Sequence, residues 1–463
     1  MFQGPKTPKC DALVERDRKV VAKANHLSYF NFVVDKGDGS YLWDVDGNKY
    51  IDFLTSASSL NTGVNHPKVK AAMQAQLDKF TQYTAAYTYN EPAISYAEKL
   101  VAQYPGKVPA KVCFGNCGSD ANDAAIKFSR AYQSDKKGAS CTKIITFIDG
   151  YHGNTYGASS LSTCTTRMRD KMGPFLPDIF HFPFYPMAMN MEAPDNKPAG
   201  FYVKEIKQAF ATYLPPDEVA AIIIEPIQGD AGLQAAHPKF MEELYALCQE
   251  HKILFIAEEV QQAFFRSGPM FSIEHYNIVP DGIILGKSVG GGGVLGAFMG
   301  KADIMNTLPA PAHLFTLGAN AFSCAAASAQ LDVLLEKGTQ DHMAKMAKVM
   351  EECIEDLNKE YSAGGKRWLR TTGFGMSLGG HLLVEGGDGW VPLSADDAFK
   401  IIYRCYERGL IVITLAGNVL RLQPALTIEE SVLRAGFGIL KQAIIDWKNG
   451  DIPDSVLAHK QGW

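Results

Sequence analysis

A chain of 463 residues, 46% hydrophobic and 21% charged, has the material for a large core and, by ordinary domain sizes, for two domains. Its formal net charge of −5 gives no ground for expecting nucleic acid as a partner. The nine cysteines are odd in number and lack C-x-x-C spacing, which suggests free thiols in a reducing cytoplasm. No apolar run reaches the roughly 18 residues of a membrane span, and the first residues lack the apolar core of a secretory leader.

Along the chain, Ala12–Lys23 reads as one mixed-charge helix. Residues 41–54, YLWDVDGNKYIDFL, read as a hairpin around the Asp46-Gly47 turn. Helical periodicity follows at Pro67–Lys79 and Glu91–Gln103. From about residue 110, short β-branched runs alternate with helical stretches: KIITFI at 143–148, AAIIIEP at 220–226, ILFIAEEV at 253–260 and GIILG at 282–286. These runs are nearly all apolar, as strands covered on both faces of a parallel sheet must be. With Glu242–His251 as an intervening helix, the pattern predicts an α/β domain. Two amphipathic stretches, Ala326–Tyr361 and Asp396–Arg408, then short strands in GLIVITLAG and VLRLQP and a last helix at Ser431–Asn449, predict a smaller α+β domain.

Ligands of open α/β sheets gather at the carboxyl ends of the strands, and polar clusters stand at those ends here. FGNCGSDAND (114–123) opens a helix, DGYHGNTYG (149–157) follows KIITFI, EPIQGDAG (225–232) follows AAIII, EEVQQ (258–262) follows ILFIA, and Lys287 follows GIIL. Taken singly, each has a plain structural explanation. Gly118 and Ser119 at a helix start could be no more than a cap, with Ser119 or Asp120 as the capping residue. Tyr151 could be core packing, and Glu258 half of an ion pair.

Lys287 narrows the choice. In PDGIILGKSVGGGGVLG (280–296), only three residues separate Gly282 from Gly286, one fewer than a P-loop needs. Gly291, Gly293 and Gly296 satisfy G-x-G-x-x-G, but APAHLFTLGANAFSCA (310–325) holds no acid for a ribose. A covalent role for the lysine remains. A phosphate cradle at Gly118 and Ser119, a flat aromatic at Tyr151, a buried carboxylate at Glu258 and a lysine at 287 together fit pyridoxal 5′-phosphate. In that arrangement the carboxylate keeps the pyridine nitrogen protonated, so that the ring can take up an electron pair.

These segments resemble the fold-type I pyridoxal-phosphate enzymes of the class III aminotransferase group, over almost the whole chain. CGSDAND resembles their S-G-S-E-A-N element, EEVQQAFFRSG their D-E-V-Q-T-G-F-G-R-T-G, ILGKSVGGG their lysine site and FTLGAN their T-F-G-G-N. Within the group, SASSLNTGV, FGNCGSDANDAAIKFSRAY, PAHLFT, VITLAGNVLRLQP and the terminal Gly462-Trp463 resemble its isoleucine 2-epimerase branch of amino-acid racemases. The resemblance implies a large domain with a mostly parallel, seven-stranded sheet at 66–330. It implies a smaller α+β domain built from 1–65 and 331–463.

Residue by residue, the resemblance implies that Lys287 carries the cofactor and that Gly118 and Ser119 hold its phosphate. Tyr151 and Val260 cover the two ring faces, Gln261 approaches the ring hydroxyl and Glu258 pairs with the ring nitrogen. Thr316 reaches the phosphate of a neighbouring subunit's cofactor, which makes the active unit a homo-oligomer, dimer or tetramer, with sites shared at the interface. Arg421 grips the substrate carboxylate. The family carries Asp where this chain has Glu258, so the ring or the strand must absorb one methylene, and Glu259 is the fallback.

Two reactions are open to such a site. A transaminase returns the α-proton to the cofactor on the face it left. A racemase returns it to Cα from the opposite face and needs a second acid–base group. Asp230 is the candidate, in a position where related aminotransferases usually have Glu and the epimerases have Asp. Gly-Asp-Ala-Gly is also a good turn in its own right. The reading is a racemase or epimerase of non-polar amino acids such as isoleucine, leucine or valine, with an ω- or 4-aminobutyrate-type aminotransferase as the alternative. A regulator on the same fold would carry a basic winged helix, for which the roughly 40 residues before the hairpin leave no room.

Overall fold

The computed structural model describes residues 4–187, 197–361, 369–386 and 389–460, with the backbone alone at 360–361, 385–386 and 389–390. The Gly462-Trp463 pair lies outside the described residues. The chain divides into two compact units, one formed by Met1–His66 with Glu336–Trp463 and the other by Pro67–Leu335.

The continuous unit is built on a seven-stranded sheet. In spatial order its strands are Ala110–Gly115, Gly296–Lys301, Gly282–Leu285, Leu254–Glu258, Val219–Ile224, Lys143–Phe147 and Ile179–Phe182. Every pairing from Gly282–Leu285 to Ile179–Phe182 is parallel. Gly296–Lys301 alone runs against its neighbours, so six strands point the same way. The sheet is mostly parallel, as expected. The apolar runs are apolar for the reason given: all six residues of Val219–Ile224 and all five of Leu254–Glu258 are buried. Helix Gly118–Lys137 packs its Ala121, Ala124, Ala125 and Phe128 onto this layer with Ile223, Ile256, Ile284 and Phe298.

Among its described residues, the discontinuous unit has two sheets. Val34–Asp38, Tyr41–Asp44 and Lys49–Asp52 form an antiparallel meander around the expected Asp46-Gly47 turn, extended in parallel by Leu410–Ile411. The second sheet orders Leu369–Phe374, Ser377–Gly386, Val419–Leu422 and Thr414–Leu415, with Gly389–Pro392 paired to Ser377–Gly386. Helices Lys337–Tyr361, Ala395–Glu407 and Glu430–Lys448 complete it. Tyr50 stacks on Tyr406 at 5.2 Å between centroids, joining the meander to a helix more than 350 positions away in sequence.

Three expected boundaries move. The first helix is Pro8–Val20 rather than Ala12–Lys23, because Pro8 suits the first helical turn, where no N–H is needed. The helix expected at Glu242 begins at Pro238 for the same reason, with the His237 ring accepting the Lys239 N–H at 3.2 Å. The long stretch Ala326–Tyr361 is two helices, Ala321–Leu335 and Lys337–Tyr361. The first is buried on most sides. The second buries a stripe of Met343, Met346, Met350, Ile354 and Leu357 at helical spacing.

Candidate active site

Because six strands share a direction, their carboxyl ends share an edge, and five polar segments are delivered there. Gly118–Lys137 begins just past Ala110–Gly115. Asp120 folds back over its start, its carboxylate accepting the N–H of Asn116 at 2.7 Å and of Cys117 at 3.1 Å. Cys117 is therefore the capping position, not Ser119 or Asp120. This leaves Gly118 and Ser119 as the first residues of a 20-residue helix, where N–H groups lack helical partners and the dipole favours an anion.

The cradle is closed by neighbours in contact. A Cβ on Gly118 would lie 2.8 Å from Val260 Cγ1, and one on Gly286 would lie 2.8 Å from Gly118 Cα. The helix start, the residue after Glu259 and the residue before Lys287 therefore touch. Ser119 Oγ accepts the Asn154 N–H at 3.1 Å, which ties the cradle to the Tyr151 loop. Gly153, at φ +125°, is needed there because a Cβ would come within 2.1 Å of Ser119 Oγ.

Lys287 has φ +49°, in the left-handed region that a lysine rarely adopts. Its turn is over-determined: Gln330 Nε2 donates to the Ser288 carbonyl at 2.6 Å, and Tyr96 Oη donates to the Val289 carbonyl at 2.8 Å. Around it stand buried acids. Burial pushes Glu258 well above the usual carboxylate range, and the Glu225 charge adds to this, while Lys287 and a hydrogen bond from Asn122 pull it back. Glu225 is raised by burial and by the Asp230 charge, against two backbone N–H groups and Lys287. Burial, then the charge of Asp230, pushes the Tyr151 hydroxyl up to about 12. Through these interactions Lys287, Glu225, Glu258, Asp230 and Tyr151 form one electrostatic group. More carboxylates than lysines converge there, and such a donor set calls for a further cation. A protonated pyridine with its phosphate on the helix start answers both needs, so the residues present fit pyridoxal phosphate.

Glu259 is committed elsewhere. Its two oxygens accept the Ser272 N–H at 3.0 Å, the Ser272 hydroxyl at 2.8 and 2.9 Å, and the Ile273 N–H at 2.7 Å, and burial raises its carboxyl to about 7. Gln261 is buried, receives the Gln262 amide at 3.2 Å and packs on Gly229, the residue before Asp230. Thr316 is exposed and its carbonyl accepts from Gln82 at 3.3 Å; no described contact brings it to the Lys287 group.

Arg421 belongs to the discontinuous unit, where it is 3% exposed on strand Val419–Leu422. Its Nε donates to Gln423 Oε1, and Nη2 lies 3.4 Å from Ser58 Oγ. Gln423 also receives the Ser58 hydroxyl at 2.7 Å and donates to Ser377 at 2.7 Å. Ser58 ends four successive left-handed residues, Thr55 to Ser58, at φ 48°, 49°, 56° and 64°. Each costs about 1–2 kcal/mol. Asp52, accepting the Leu54 and Thr55 N–H groups at 2.8 and 2.9 Å, and the Gln423 carbonyl, accepting Thr55 Oγ1 at 2.9 Å, hold them. Gln423 was not singled out from sequence, and the conformation of the SASSLNTGV segment was not read either: no glycine or asparagine in TSAS signals a left-handed backbone.

The fold and the lysine-centred group define a pyridoxal-phosphate enzyme of fold type I. Residues 21–444 match the family model described as aminotransferase class-III, and the chain belongs to that family. It is similar to the isoleucine 2-epimerase of Lentilactobacillus buchneri, with 38% identity over 99% of this chain and 100% of that one. It is also similar to the leucine/methionine racemase of Thermococcus litoralis, with 34% identity over 98% and 99%. Among solved structures, the ornithine aminotransferase of Toxoplasma gondii, with pyridoxal phosphate partially occupying its active site, superposes with a TM-score of 0.81. It is 26% identical, covering 96% of each chain.

Proposed function

We propose that the protein is a pyridoxal-phosphate-dependent amino-acid racemase or 2-epimerase acting on non-polar substrates such as isoleucine, leucine and valine. The observation that carries this reading is Asp230: a second acid–base side chain within the same electrostatic group as Lys287. The likeness to an isoleucine 2-epimerase and a leucine/methionine racemase supports it.

Bound cofactor supplies an electron-withdrawing ring that makes the Cα proton of an attached amino acid removable. Gly118 and Ser119 hold its phosphate, Tyr151 and Val260 its faces, Gln261 its hydroxyl, and Glu258 the charge at its nitrogen. With both Glu259 oxygens committed to Ser272 and Ile273, Glu258 is the better placed of the two carboxylates. Lys287 takes the Cα proton on one face and Asp230 delivers one from the other; the roles exchange for the reverse reaction. Arg421, its plane set by Gln423, binds the substrate carboxylate as a planar fork. Thr316 serves the phosphate of a second subunit, which makes the working enzyme a homo-oligomer. No helix of the described residues is long and apolar enough to cross a membrane, and the free thiols suit a reducing cytoplasm.

The class III aminotransferase reading is the second one, because the chain matches the aminotransferase class-III family model and superposes on an ornithine aminotransferase. Incubation of the holoenzyme with L-isoleucine, L-leucine or L-valine, with and without pyruvate, separates them. Racemase action gives the opposite Cα configuration in the absence of pyruvate. Product formed only with pyruvate, and alanine with it, would assign the transaminase.

A further inference from the structure

Glu225 neither holds the cofactor nor moves a proton in the proposed reaction, yet it is 5% exposed and its two oxygens are divided between the Tyr151 and Asp230 loops. Oε1 accepts the Gly229 N–H at 3.0 Å, and Oε2 accepts the Tyr151 N–H at 3.1 Å. Gly229 directly precedes Asp230. Its carbonyl in turn accepts the N–H of Gly232 at 3.2 Å and of Leu233 at 3.0 Å, closing the turn on which Asp230 is carried. That turn is the tip of a hairpin whose strands, Ile227–Gln228 and Gln234–Ala235, have two residues each. So short a ladder gives the tip little rigidity. On its other side Gly229 is packed so closely that a Cβ would lie 2.4 Å from Gln261 Nε2. The Asp230 turn is therefore anchored at Gly229, by the Glu225 carboxylate and the Gln261 side chain.

The chemistry of the anchor is specific. Both partners of Glu225 are N–H donors, so the position needs an acceptor at each end. A glutamine would turn an NH2 against one of them and leave it unsatisfied. A carboxylate buried beside the charges of Asp230 and Glu258 is otherwise an unfavourable choice. A purely structural bridge between two loops could be made with neutral groups.

We propose that Glu225 is the positioning residue for the inverting base: one carboxylate, shared between Gly229 and Tyr151, fixes the side chain of Asp230 relative to the aromatic face of the site. The inference rests on the racemase reading. Misplacing a reacting group by about 1 Å can slow its step on the order of a hundredfold. Loss of the anchor should therefore fall on the Asp230 face and spare the Lys287 face by comparison.

The test follows holoenzyme in D2O, started from L-isoleucine and separately from D-allo-isoleucine. The informative isomer is the one whose Cα proton Lys287 removes: for it, chiral chromatography with mass detection compares deuterium gained at Cα with retention, which needs Lys287 alone, against deuterium gained with inversion, which needs both groups. For Glu225→Gln, and for Glu225→Asp, whose shorter side chain cannot span both N–H groups, the ratio of inversion to retentive exchange is expected to fall at least tenfold. Arrest of the wild-type enzyme in inversion would remove the racemase reading itself. A wild-type enzyme that inverts, with either folded variant showing an unchanged ratio, would overturn the role of Glu225 alone.

Discussion

Asp230→Asn keeps the size of the side chain and removes its basicity. Inversion is expected to slow by about 10²–10⁴-fold, the usual contribution of a positioned acid–base group, with the cofactor's absorbance band unchanged. An unaltered inversion rate, measured by chiral chromatography, would remove Asp230 from the reaction. Lys287→Ala should abolish both the visible band and turnover. The place of Lys287, Glu258 and Tyr151 at the carboxyl edge of the sheet was legible because each stands one to four residues past an apolar strand run, so the position of the strand announces the residue. Glu225 stands in such a place too, but its task depends on which two N–H groups its oxygens meet, and no string of residues states that. Gln423 was illegible for a similar reason: its partners Ser58 and Ser377 are 365 and 46 positions away. Gln423→Ala would strand buried polar partners at a cost of about 1–3 kcal/mol and loosen Arg421. The expected result is a lower unfolding midpoint together with a several-fold higher KM for the amino acid.

At the scale of elements, the buried parallel strands could be read because burial on both faces leaves an unbroken apolar run. The reversed strand Gly296–Lys301 could not, since GAFMGK has glycines at both ends of its apolar centre and follows a run of four more. The hairpin Leu369–Phe374 with Ser377–Gly386 was missed on the same ground: GFGMSLGG reads as loop until a partner strand supplies the ladder. The joint at Glu336 was missed because two helices with different buried faces run on almost without a gap. The glycine at 153 gives a direct test of how the loops meet. Gly153→Ala forces a left-handed alanine and a Cβ against Ser119, for a penalty of about 1–3 kcal/mol. Cofactor affinity, titrated by absorbance, is expected to drop at least tenfold; unchanged affinity would mean the cradle does not need that approach.

For the molecule as a whole, the buried acids make stability depend on pH. The Glu259 carboxyl rises from 4.5 to about 7 on folding, so between these values the folded chain keeps a proton that the unfolded chain has lost. This stabilisation is complete below pH 4.5 and disappears as pH climbs through 7. Glu225 and Glu258 shift in the same direction. Buried His152, held down to about 3, and His381, to about 4, act in the opposite sense, but only below their unfolded value of 6.5. From pH 6.5 to 8 the carboxylates therefore decide the sign. Cofactor-free protein should lose thermal stability across this window, and bound cofactor should lessen the loss by placing a cation beside Glu258. A midpoint that is flat or rising without cofactor would contradict the burial of ionisable acids around Lys287.

In the proposed reaction a proton leaves Cα on one face and another arrives on the opposite face. Holoenzyme held in D2O with L-isoleucine and no keto acid tests it in a single sample. The expected product is D-allo-isoleucine carrying one deuterium at Cα, with total amino acid conserved. Conversion of the substrate to its 2-keto acid, or full recovery of undeuterated L-isoleucine, would contradict it.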